Sequence, residues 1–105
     1  MIIEIKIIEE WGELISSFGK FEEKHFQELV GVATSENMMC LAFIDLPRDA
    51  YFNEIQCKDI RKELEVLKEY SKLNMNLLDS IGKATELVIK KSAYLKFEVV
   101  DRPLD

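Results

Sequence analysis

Ile3, Ile5 and Ile7 alternate with Glu4, Lys6 and Ile8, a period of two that predicts a strand at the start of the chain. Trp11, Leu14, Ile15 and Phe18 then fall at i, i+3, i+4 and i+7, one apolar helical stripe, with Gly19 placed to end it. Lys20 to Lys24 is a polar connection. Phe26 to Thr34 is expected to be a strand, because Val30, Gly31, Val32 and Thr34 are poor helix formers. Ser35-Glu36-Asn37 forms the turn, and the unbroken apolar run Met38–Ile44 forms a central strand covered on both faces. These two strands make a hairpin. Leu46 to Ala50 is a loop around Pro47.

The second half has clearer start signals. Asn53 with Gln56 three residues later spells a capping box, and Phe52 with Cys57 occupies the two positions of a hydrophobic staple. Ile60, Leu64 and Leu67 continue the buried stripe of that helix. Glu54–Lys58, Glu65–Lys68 and Glu69–Lys72 supply pairs on its exposed face. Asn74 or Asn76 caps a further helix with Leu77/Leu78, Ile81, Ala84/Thr85 and Val88 at helical spacing. Gly82 inside it marks a close-contact point, and Lys90 and Lys91 suit its C-terminal dipole. Tyr94 to Val100 alternates again as a last strand, stopped by Pro103 and pairing with the first strand or with Met38–Ile44. The expected fold is α+β: a single domain over 1–105, with two layers, about four mostly antiparallel strands and three helices, in the order β-α-β-β-α-α-β.

Charge changes this picture more than composition does. The chain has 105 residues, 48% of them hydrophobic and 32% charged, an ordinary globular balance with no long linker. Its acidity is one-sided. Residues 1–54 hold eleven acids against four bases, and residues 55–105 hold nine against ten. The net charge of −6 therefore belongs to the first half, and the expected visitor is cationic. Nucleic acid is an unsuitable partner, since phosphates are neutralised by patches of Lys and Arg. No uncharged run approaches the length that crosses a bilayer, and Met1–Lys6 has no basic n-region. The expectation is a cytoplasmic protein without membrane contact, with Cys40 and Cys57 reduced and buried.

Candidate chemistry is sparse. His25 is the single histidine, and neither cysteine stands in a nucleophile-elbow sequence. No Cys-x-x-Cys, His-Glu-x-x-His or EF-hand spacing occurs, so no metal is expected. Gly12, Gly19, Gly31 and Gly82 are isolated, which leaves no phosphate cradle and no cofactor. Paired carboxylates remain. Glu9, Glu10 and Glu13 form one cluster, and Asp45, Asp49 and Glu54 another. The stretch Asp45–Glu54 lies between a strand and a helix and carries Tyr51, a residue type that anchors interfaces while acids steer. Asp45, Asp49, Tyr51 and Glu54 are the first candidates for partner contact, with Glu36, Glu9, Glu10 and Glu13 second. Tyr51 either anchors a partner or folds inward.

The segments Trp11-Gly12-Glu13-Leu14-Ile15-Ser16-Ser17-Phe18, Tyr51-Phe52-Asn53-Glu54-Ile55-Gln56-Cys57 and Tyr94-Leu95-Lys96-Phe97-Glu98 give the chain a likeness in style to one group. It resembles the small immunity proteins of bacterial contact-dependent growth-inhibition and related polymorphic toxin systems. The resemblance carries no site residue over position by position. It implies a non-enzymatic protein that forms a 1:1 complex with a cognate basic toxin domain, commonly a nuclease, and covers its active site. A rival expectation is a small interaction or regulatory module that pairs with a copy of itself through a strand edge. A third is a small enzyme built on paired carboxylates.

Overall fold

A computed structural model describes residues 1–46 and 48–101. Pro47 and Pro103 lie outside the described residues. The elements are β1 (Ile2–Ile8), β2 (Leu14–Glu22), α1 (Glu23–Ser35), a 3-10 turn (Leu41–Phe43), β3 (Ala50–Phe52), α2 (Glu54–Leu67), α3 (Met75–Lys91) and β4 (Tyr94–Val99). The strands form one antiparallel sheet in the order β2-β1-β4-β3. The class and the numbers of strands and helices, four and three, are as expected, and the last strand does pair with the first.

The first half rearranges the expected elements, so the order along the chain is β-β-α-β-α-α-β. Residues 14–22 are a strand, where a helix from Trp11 ending at Gly19 and then a polar connection from Lys20 were expected. The reason is two irregularities in the β1–β2 register. Ser17 opposes Lys6 and Lys20 opposes Glu4, so Phe18 and Gly19 together face Ile5. Ser16 opposes Ile7 and Leu14 opposes Ile8, so Ile15 is also extra. Each extra residue breaks the period of two. The result is a spacing that imitates a helical stripe. Gly19 sits at φ +111°, and an added Cβ would meet the Phe21 ring at 3.3 Å, so this bulge needs glycine.

Residues 23–35 are a helix despite the poor formers within them. Phe26, Leu29, Val32 and Ala33 are buried on one face, and that packing overrides propensity. The hydroxyls of Thr34 and Ser35 turn back to the carbonyls of Val30 and Val32, at 2.8 Å each. Asn37 adopts φ +56° and ends the helix, with the Met38 amide donating to the Ala33 carbonyl. Met38–Ile44 is no strand. The carboxylate of Glu63, on α2, accepts from the amides of Cys40 and Leu41 at 3.0 and 2.9 Å, and the chain curls into the 3-10 turn instead of offering them to a sheet.

The second half follows its signals. The capping box at Asn53 is complete, Phe52 and Cys57 are buried, and Asn74 caps α3. Of the three expected charge pairs, Glu54–Lys58 closes, at 3.7 Å, and α2 ends at Leu67, before Glu69 and Lys72. Gly82 is not crowded: an added Cβ would meet a Leu64 methyl at an ordinary 3.8 Å. Ile3, Ile5, Ile7, Leu95 and Phe97 point to the helical layer, where Phe97 meets the rings of Phe26 and Phe52 edge-on at 5.3 and 5.8 Å. No helix among the described residues is long and apolar enough to cross a membrane.

Candidate functional site: an acidic hairpin end with an exposed tryptophan

The outer face of the sheet is set by the residues that alternate with the core positions. In β1 and β4 these are Glu4, Lys6 and Ile8, and Tyr94, Lys96 and Glu98. Lys6 and Lys96 stand opposite each other, and both reach Glu98, at 2.6 and 2.5 Å. Lys6 also lies 3.5 Å from Glu4, which accepts from the Ser17 hydroxyl at 2.6 Å. The hydrogen bonds from Lys6 and then Lys96 hold Glu98 below the usual carboxylate range, and Glu98 in turn raises both lysines. This network engages Lys6 and Lys96 and leaves Lys20, opposite Glu4 on β2, outside it.

One step towards the hairpin the face becomes apolar. Ile8 is paired with Leu14 on one side and Tyr94 on the other, and it is nearly covered although it faces outward. Beyond it the chain turns through Glu9–Glu13. The turn is closed by its own backbone, Glu9 N to Glu13 O and Gly12 N to Glu9 O, both 2.8 Å. Gly12, at φ +89°, makes that closure possible. Trp11 rides on the turn with 87% of its surface exposed, and Leu14 beside it is 60% exposed. No hydrogen bond or ion pair to a described residue holds the side chains of Glu9, Glu10 and Glu13.

Topology adds to this end of the sheet. β1 and β3 finish here, and β2 and β4 begin here. Two adjoining grooves share Ser92 and Ala93: one has walls of Glu9, Glu10 and Lys91, the other of Glu54, exposed Ile55 and Tyr94. Glu54 accepts from the Ser92 hydroxyl at 2.8 Å, which ties α2 to the α3–β4 turn. The end thus gathers Trp11, Leu14, Ile55 and Tyr94 among Glu9, Glu10, Glu13 and Glu54. Carboxylates on an open turn can steer a cation and seat it beside an aromatic ring.

The four leading candidates do not form one cluster. Asp49 and Glu54 flank β3, about 16 Å apart at the rise of an extended chain. Asp49 accepts from the Val99 amide at 3.0 Å and so holds the opposite end of the sheet. Asp45 makes a solvated pair with Arg48 at 3.9 Å. Tyr51 stands outside, with the Lys96 ammonium 5.2 Å from its ring centroid. Glu36 accepts from the Tyr70 hydroxyl, and that bond raises the Tyr70 pKa. Of the acids proposed for contact, Glu54, Glu9, Glu10 and Glu13 come together.

Trp11 and Leu14 were missed as surface residues because their spacing placed them inside a helix. The signal available was Gly12 among Glu9, Glu10 and Glu13, a turn composition. Cys40 and Cys57 are buried free thiols, pushed up to about 11 and about 12, mainly by burial. Among the described residues no group of three or more His, Cys, Asp and Glu could hold a metal ion. No protein-family model, no curated protein and no solved structure matches the chain.

Proposed function

We propose that this chain is a non-enzymatic binding protein of the immunity type, which neutralises a basic toxin domain by covering its active site with the hairpin end. The supporting observation is Trp11, held out of the fold on a backbone-closed turn among three acids that nothing among the described residues engages. Leaving a tryptophan in water forgoes the stabilisation that burying it would give. That arrangement suits a residue whose burial comes on binding. Tryptophan is also the residue type most often found to dominate interface energies. A toxin domain that cleaves nucleic acid lines its site with Lys and Arg, and the free carboxylates complement such a lining and speed encounter. The resemblance to immunity proteins supplies the partner class. Self-pairing through β2 is disfavoured by its two bulges and by Lys20 on the edge strand.

The test is to mix the protein with the C-terminal domain of a secreted protein encoded directly upstream of its gene. A 1:1 complex and loss of toxin activity are expected, with an association rate that falls steeply with salt. Trp11→Ala should weaken the complex by about 2–4 kcal/mol, roughly thirtyfold to a thousandfold. Absence of both binding and inhibition would overturn the reading.

A further inference from the structure

A second surface lies away from the hairpin, between the end of α1 and the outer side of α2. It is a groove of about 390 Å³. Met39 and Val66 give it exposed apolar walls, and Glu36, Asp59 and Glu63 outnumber Lys62 around it. Its shape is fixed from beneath. Glu63 pins the amides of Cys40 and Leu41, and Glu36 is bonded to Tyr70. A groove with apolar walls and a surplus of negative charge, held by bonds that exist before anything binds, is preorganised for a ligand of opposite charge. Met39, 76% exposed, is the adaptable kind of side chain found on peptide-binding surfaces.

We infer that this groove binds a cationic segment of another protein, an apolar side chain seated between Met39 and Val66 with a flanking Lys or Arg facing Asp59. The charge surplus selects the sign of the occupant, and the groove volume admits one bulky side chain rather than a folded surface. The site is independent of the hairpin end and does not rest on the reading given above.

The experiment is a titration of the whole protein, followed by amide chemical shifts. The probe is a seven-residue peptide with a central leucine and three lysines on each side. Shifts of Met39, Asp59, Lys62 and Val66 should move together and saturate. A serine-centred peptide should bind about tenfold more weakly, the loss expected when one apolar side chain stays in water. A peptide with glutamates in place of the lysines should not bind. Val66→Ser and Asp59→Asn, both at exposed positions, should each weaken the leucine peptide several-fold while the fold is unchanged. Trp11→Ala should leave this binding intact, which separates the groove from the hairpin end. Three outcomes would overturn the inference: no shifts at millimolar peptide, equal binding of the serine peptide, or shifts confined to Glu9–Glu13.

Discussion

The turn Glu9–Glu13 and the segment Glu36–Asp49 are alike in composition and opposite in construction. Both are acidic, and both expose large apolar side chains, Trp11 in one, with Leu14 just after it, and Met39 with Phe43 in the other. The turn is closed by two backbone hydrogen bonds of its own, and its acids engage nothing among the described residues. The segment is tied to the rest of the protein by carboxylates. Glu36 bonds Tyr70, Glu63 reaches in from α2 to two amides, and Asp49 fixes Val99. Acid count alone therefore does not mark a docking face. What separates a structural carboxylate from one left for a partner is whether its oxygens already accept bonds from the fold.

The largest effect that would break this contrast is at Glu63. Glu63→Ala removes both acceptors and leaves two buried amides unbonded, which should cost about 3 kcal/mol or more in denaturant melts. Glu63→Gln keeps one acceptor oxygen but presents a donor to the other amide, and should fall between. The Cys40 thiol gives a second readout in the same segment. Its pKa is raised to about 11 by burial, with the charges of Glu63 and Asp59 adding to it. The folded state thus favours the protonated thiol more than the unfolded state does. That stabilisation is present below the ordinary value of 9.0 and is lost as pH rises through the folded value. At neutral pH a thiol reagent should label Cys40 slowly in the native protein and much faster in Glu63→Ala. Fast labelling of both proteins would mean that Glu63 does not hold the segment.

A smaller loss is expected at Asp49. Its bond to the Val99 amide anchors the end of β4, beside which only three residues of β3 pair. Asp49→Ala should cost about 1–3 kcal/mol, the range for hydrogen bonds to a charged acceptor, while binding of the proposed toxin partner is unchanged. Reduced binding with unchanged stability would return Asp49 to the contact surface.

The same contrast explains what was legible in the sequence. Asn53/Gln56 and Asn74 are local signals whose partners lie three residues away, so the starts of α2 and α3 could be read directly. The β1 strand was legible from alternation, and the class followed from it together with the two C-terminal helices and β4. The region 11–44 was not, because its elements are decided by distant partners. β2 depends on bulges that appear only when it lies against β1, and residues 38–44 depend on a carboxylate more than twenty positions away. Glu63 was readable in part, since it falls inside the apolar stripe between Ile60 and Leu64. Within the candidate site the acids Glu9, Glu10, Glu13 and Glu54 were legible as types. Trp11 and Leu14 were not, because exposure is a property of the folded sheet.

The smallest expected effect is the sharpest for the hairpin. If the turn closes on its own backbone and its acids engage nothing, then changing Glu9, Glu10 and Glu13 together to Gln should move stability by no more than about 0.5 kcal/mol. Trp11→Ser should be equally silent, in contrast to the 3–5 kcal/mol expected for truncating a buried aromatic. Tryptophan emission checks the same point without mutation, because Trp11 is the only tryptophan in the chain. Its spectrum in the native protein should match that of the unfolded protein and be quenched freely by acrylamide. A blue-shifted, protected emission, or a large loss of stability in Trp11→Ser, would place Trp11 in a core and remove the anchor from the proposed interface. Silence in stability combined with a large loss in toxin binding is the pattern that a residue held out for a partner must give.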